Sequence, residues 1–129
     1  VSLPGSVVAG RAGVVVPGVD TSRVVFVRMP RWFRSLTVGR VDAMTLGRVV
    51  LVDPATMGAV ADGSVPELVA HELIHVRQWS DDGAVRFVLR YVREYVRLRA
   101  LGCDHDTAYR GIGYEWAAYA EAHHIVHRP

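Results

Sequence analysis

His71-Glu72-Leu73-Ile74-His75 constrains this chain more than any other run in it. Histidines at i and i+4 meet when the run is helical, because one turn then stacks one imidazole over the other. A legible helix start comes just before. Ser64 reads as N-cap, Pro66 falls in the first turn, and Glu67 completes an S-x-x-E capping box. The helix is expected from about Val65 to Trp79, with Leu68, Val69, Leu73 and Val76 on its buried side. Asp81-Asp82-Gly83 ends it, and Asp82 is placed to cap the next helix.

The surroundings predict an α+β chain with a small sheet packed on this helix and two further helices. Val24–Arg28 reads as a strand closed by Pro30. Arg31–Arg34 reads as a single helical turn, and Leu36–Val38 is too short to assign. Met44–Asp53 reads as the best strand, with Gly47 as a bulge or close approach and Asp53-Pro54 as a turn. Ala55–Gly63 is a connection with room for a turn of helix. Ala84–Leu101 has Val85, Val88, Leu89, Val92, Tyr95 and Val96 at helical spacing, which predicts a core-packing helix. Arg86, Arg90, Arg93 and Arg97 line another face of it, read as solvated. Gly102–Gly113 is a loop or short helix, and Tyr114–Val126 a helix whose alanines suit close packing. Val1–Gly18, rich in valine, glycine and proline, is expected to hold a short strand or an extended arm, residues 1–20 forming that arm of a single 129-residue domain.

Half the chain is apolar and 22% charged, which is globular composition. The net charge of +2 is too small to imply nucleic acid. All 15 basic residues are arginine, which codon bias explains. Cys103, the only cysteine, can form no internal disulfide. No apolar run is long enough for an ordinary membrane span, and the amino terminus lacks the charged start of a signal peptide. A soluble protein, cytoplasmic or secreted, is expected.

Two neutral imidazoles at this spacing fit Zn²⁺, and the adjoining Glu72 is placed to act as general base on an activated water. A catalytic zinc takes three protein ligands. The available donors are His105, Glu115, Glu121, His123, His124 and His127. Glu115 is preferred, because Ala118 and Ala122 follow it on one side and allow close packing. Glu121 lies roughly 120° away around that helix. Asp104 or Asp106 could accept a bond from a ligand histidine. Among Tyr109, Tyr114 and Tyr119, Tyr109 has the loop freedom suited to an oxyanion donor. A peptide could add to an exposed edge of Thr45–Asp53, where Thr45, Gly47, Arg48 and Val49 form the candidate substrate surface.

His71-Glu72-x-x-His75 followed by Val76-Arg77-Gln78 resembles the zincin superfamily, especially its glutamate-ligand branch, the gluzincins. Ala43, Thr45, Gly47, Val50, Leu68, Ala70 and the helix through Gln78 are similar to small bacterial HExxH domains of unknown function. Tyr109-Arg110, Tyr114-Glu115 and Ala118-Tyr119 are similar to a segment of small peptidase-like domains. No histidine stands at the sixth position after His75, so the extended three-histidine pattern is absent. The resemblance implies a minimal zincin fold, peptide-bond hydrolysis, a peptide or protein partner, and an inhibitor or regulatory partner as an option. Two other readings compete with it. One is a zinc-binding structural or interaction module without hydrolysis. The other is an arginine-rich amphipathic module on anionic lipid or an acidic partner, although membrane contact is not expected.

Overall fold

The computed structural model describes residues 2–35 and 41–127; the expectation for Leu36–Val38 falls on residues outside these. The fold is α+β, one small sheet packed on helices. Its strands are β1 (Ser2–Pro4), β2 (Val25–Arg28), β3 (Ala43–Leu46) and β4 (Val49–Val52). The helices are α1 (Gly5–Ala12), α2 (Arg31–Arg34), α3 (Pro54–Asp62), α4 (Pro66–Asp82), α5 (Ala84–Ala100), α6 (His105–Gly111) and α7 (Gly113–Val126).

The strand order is β1-β2-β4-β3. β2 and β4 run parallel at the centre, and β1 and β3 pair antiparallel on the outside. Alternation along β2 and β4 sends Phe26, Val50 and Val52 into the core. There they meet Val8 of α1, Met57 and Val60 of α3, and Val69, Leu73 and Ile74 of α4. Ala118 and Ala122 of α7 close the same core with side chains small enough for α7 to lie against α4. A second cluster of Phe87, Ile112 and Tyr114 joins α5 to α7, with Trp79, Tyr91 and Tyr95 around it. No helix among the described residues is long and apolar enough to cross a membrane.

Several local expectations change. The amino-terminal segment holds the short strand expected there, β1, but it is not an extended arm: after β1 it forms α1, whose Val8 and Ala9 are buried. Tertiary burial of that face overrides the low helix propensity of valine and glycine. Met44–Asp53 is a hairpin and not one strand. Gly47 (φ +65°) opens its two-residue turn, the place a II′-type hairpin gives to glycine. The connection before α4 is a full nine-residue helix, α3. The capping box does not form: Val65 is the N-cap of α4, and the Ser64 hydroxyl donates to the Ala59 carbonyl. Ser64 is taken by the end of α3, and Glu67 by α7. α4 continues to Asp82, which accepts from the Tyr114 hydroxyl and does not cap α5. In α5 the buried side is aromatic; Val85, Val88, Leu89, Val92 and Val96 are exposed beside the arginines. Stacking of Phe87 on Trp79 and Tyr114 (ring centroids 4.4 Å apart in each case) sets that rotation.

Gly63 joins α3 to α4 at φ +81°, and a β-carbon there would lie 2.2 Å from the Arg11 carbonyl oxygen of α1. Gly63→Ala is therefore expected to cost more than about 2 kcal/mol, through a disfavoured φ and a backbone clash. A urea-denaturation midpoint equal to wild type would contradict this packing.

Candidate metal centre

Every residue of α4 from Val69 to Val76 is buried. One side is apolar core. The other presents His71, Glu72 and His75, each no more than 7% exposed, to the space between α7, α5 and β3. Buried polar groups need partners, and those here come from other elements.

The start of α7 is pinned at three points. Glu94 Oε1 accepts from the Gly113 amide at 2.7 Å, Gln78 Nε2 donates to the Tyr114 carbonyl at 3.1 Å, and the Tyr114 hydroxyl donates to Asp82. This fixes Glu115 opposite the two histidines. Its Oε1 lies 3.0 Å from His71 Nε2 and 3.0 Å from His75 Nε2, and the two Nε2 atoms are 3.0 Å apart. Three donor atoms thus form a near-equilateral triangle. Bond lengths of about 2.0–2.1 Å around a tetrahedral zinc separate neighbouring donors by about 3.3 Å, so spacing and donor types both fit that ion. His71, Glu72 and His75, whose ligand atoms lie within 4.8 Å of one another, form an arrangement able to coordinate a metal ion, and Glu115 bridges the two histidines.

The shell behind the donors is built. Because Gln78 Nε2 is committed to a carbonyl, its Oε1 faces His75 Nδ1 at 2.7 Å and accepts from it. That keeps Nε2 directed at the centre. The Tyr91 hydroxyl donates to Glu115 Oε2 at 2.7 Å. The His71 ring packs on Tyr119, centroids 4.3 Å apart, and its Nδ1 has no hydrogen-bond partner among the described residues.

Electrostatics calls for positive charge here. Burial pushes the Glu72 carboxyl up; the histidines pull it back and Glu115 pushes it further. Glu115 lies well below the usual carboxylate range: burial raises it, but hydrogen bonds from His71, His75 and Tyr91 outweigh that. Burial lowers His75, yet its bonds to Glu115 and the charges of Glu72 and Glu115 hold it at about 9. The two carboxylates attract either a proton on the imidazole or a cation held by its lone pair, and these compete.

Thr45 of β3 donates to the Glu72 backbone carbonyl at 3.2 Å and lies 3.4 Å from its Oε1. Its side chain is buried under the helix, where it positions Glu72. Gly47 and Arg48 form the hairpin turn, and Val49 lies in β4 between two strands. Among the described residues β1 and β3 are the two edges of the sheet, and the edge beside this centre is that of β3. Tyr109 of α6 borders the centre, and burial followed by the charges of Glu115 and Glu72 holds its hydroxyl far above the ordinary tyrosine range.

Two cavities meet at Glu72, Ala43 and Tyr109. One, of about 210 Å³, is walled by Met44, Leu46, Phe87, Val88 and Val92 and reaches His75 and Glu115. The other, of about 390 Å³, is polar and carries Asp42, Glu67, His105, Asp106 and Arg110.

The remaining candidates lie outside the triangle of donor atoms. Glu121 is paired with Arg77 at 2.5 and 2.9 Å. His105 bonds the Tyr95 hydroxyl, and Asp104 caps α6 through the Thr107 amide. His123 and His127 both bond Glu67, and His124 is exposed. Sequence reasoning passed over Tyr91 and named Gln78 only within the resemblance, without a role. Gln78 had a signal, the i+3 spacing from His75. Tyr91 had none, since its approach depends on how α5 docks.

No protein-family model matches the chain, and neither a curated protein nor a solved structure matches it.

Proposed function

We propose that this chain is a zinc-dependent peptidase of zincin type, with His71, His75 and Glu115 holding the ion and Glu72 as general base. The observation that carries the reading is the buried triangle of two imidazole nitrogens and one carboxylate oxygen at 3.0 Å, with a second buried carboxylate beside it. A bound zinc ion supplies a Lewis acid that makes water a nucleophile near neutral pH and polarises a carbonyl.

The protein groups do the rest. Glu72 removes a proton from the water as its oxygen bonds to the peptide carbon. It then delivers that proton to the amide nitrogen as the C–N bond breaks. Its burial, which raises its proton affinity, suits both halves of the transfer. The protonated Tyr109 hydroxyl donates to the carbonyl oxygen as negative charge builds there. Thr45 keeps Glu72 in place, and Gln78 and Tyr91 hold His75 and Glu115. A substrate strand adds to the open edge of β3, where Ala43 and Thr45 lie in the pairs that leave their backbone groups turned away from β4. One side chain flanking the cleaved bond enters the apolar cavity, and the polar cavity takes the other side.

The test is metal content and cleavage of a mixed peptide library, with protein purified without a histidine tag. About one tightly held zinc per chain is expected. Cleavage next to aliphatic or aromatic residues should be abolished by a chelator and restored by zinc. A protein that holds zinc and cleaves nothing is instead a zinc-binding interaction module, and one that takes up no zinc ends both readings.

A further inference from the structure

A second cluster of the same donor types lies on the same pair of helices. Glu67, in the first turn of α4, places Oε1 at 3.1 Å from His123 Nδ1 and 2.5 Å from His127 Nε2. The two rings stand 4.4 Å apart, one turn from each other at the carboxy end of α7, where His127 is the C-cap. α4 and α7 are antiparallel: His75 and Gln78 meet residues 114 and 115, His71 meets Tyr119, and Glu67 meets residues 123 and 127. Along α4 the ladder reads Glu67, His71, His75 every four residues. Along α7 and its C-cap it reads Glu115, Tyr119, His123, His127. The buried centre takes an i, i+4 histidine pair from α4 and a glutamate from α7. The other end of the ladder takes the pair from α7 and the glutamate from α4.

We infer that Glu67, His123 and His127 form a second binding site for a divalent transition-metal ion. The ligand atoms lie within 4.8 Å of one another. Two imidazoles with one carboxylate select zinc, nickel or copper over magnesium or calcium, which favour all-oxygen shells. All three side chains are exposed, so they can close on an ion at small cost in packing, and the ion keeps water ligands and exchanges readily. The site is therefore weaker than the buried centre. Glu67 also lines the polar cavity that reaches His71 and Glu72. Metal at this site fixes that wall of the cavity and ties the end of α7 to the start of α4. The inference does not depend on whether the buried centre hydrolyses anything.

The probe is zinc alone, followed by calorimetry and by elemental analysis after equilibrium dialysis. Wild type should saturate at two zinc ions per chain, as should His124→Ala, whose side chain lies outside the cluster. His123→Ala and His127→Ala should each retain the tight ion and bind the weaker one roughly tenfold or more less well, the loss typical when a group supporting a metal is removed. Glu115→Ala should lose the tight ion and retain the weaker one, which separates failure of either site from failure of the other. Saturation of wild type at one ion that Glu115→Ala loses would overturn the site, as would second-ion binding of unchanged affinity in His127→Ala. One ion that Glu115→Ala keeps and His127→Ala loses would uphold it and leave the buried centre empty.

Discussion

Glu72→Gln is expected to lower kcat by about 10²–10⁴-fold, the range a positioned general base contributes, while the tightly held zinc stays in place. Glutamine keeps the shape of the side chain, and its amide oxygen still faces Thr45. What disappears is the group that takes the proton from water and returns it to the leaving nitrogen. Glu72 is not among the three atoms at 3.0 Å, so metal content should not change. Burial pushes its carboxyl up, meaning the charged form is disfavoured in the fold. A neutral amide avoids that penalty, so thermal stability should not fall. The measurements are single-turnover cleavage, zinc content and thermal unfolding on the same preparation. Activity within tenfold of wild type at full zinc occupancy would remove Glu72 from the proton transfer.

Glu115→Ala is expected to empty the centre, weakening the tight ion by well over the 10–100-fold seen when only a supporting group is lost. Two imidazoles alone leave the ion short of its third protein donor. The change also strands the Tyr91 hydroxyl, which donates to Glu115 Oε2 at 2.7 Å, at a cost of about 1–3 kcal/mol. Glu115→Gln keeps the volume and a partner for Tyr91, so metal loss in that variant separates coordination from folding. Glu121→Ala is the contrast. It breaks a part-exposed pair with Arg77, worth about 0–1 kcal/mol, and should leave zinc content unchanged. Equal zinc retention in Glu115→Ala and wild type would refute the proposed ligand set.

Much of this molecule is legible in local pattern. Periodicities of two and of four residues report on single elements, so the strand at Val25–Arg28, the helix carrying His71 and His75, and the helix beginning beside Tyr114 were all readable. The hairpin was missed because Val49–Val52 continues the β-branched run through Gly47, and only strand pairing shows that the chain reverses there. The capping box was a sound local signal that lost to neighbours: the end of α3 takes Ser64, and α7 takes Glu67. The valines of α5 have helical spacing, but spacing does not say which stripe is buried. Its aromatic residues, with more surface to bury, turned inward instead.

By itself the sequence determined that two histidines and a glutamate share one turn of a helix, because that relation is set by helix geometry within five residues. The tertiary structure alone decided which distant groups meet them. Glu115 arrives because Glu94, Gln78 and Asp82 pin the start of α7. Tyr91 arrives because α5 docks by its aromatic face, and Thr45 because β3 runs beneath α4. These contacts span 19 to 44 residues of chain. At such separations no local periodicity carries information, and only the packing of whole elements brings the atoms together.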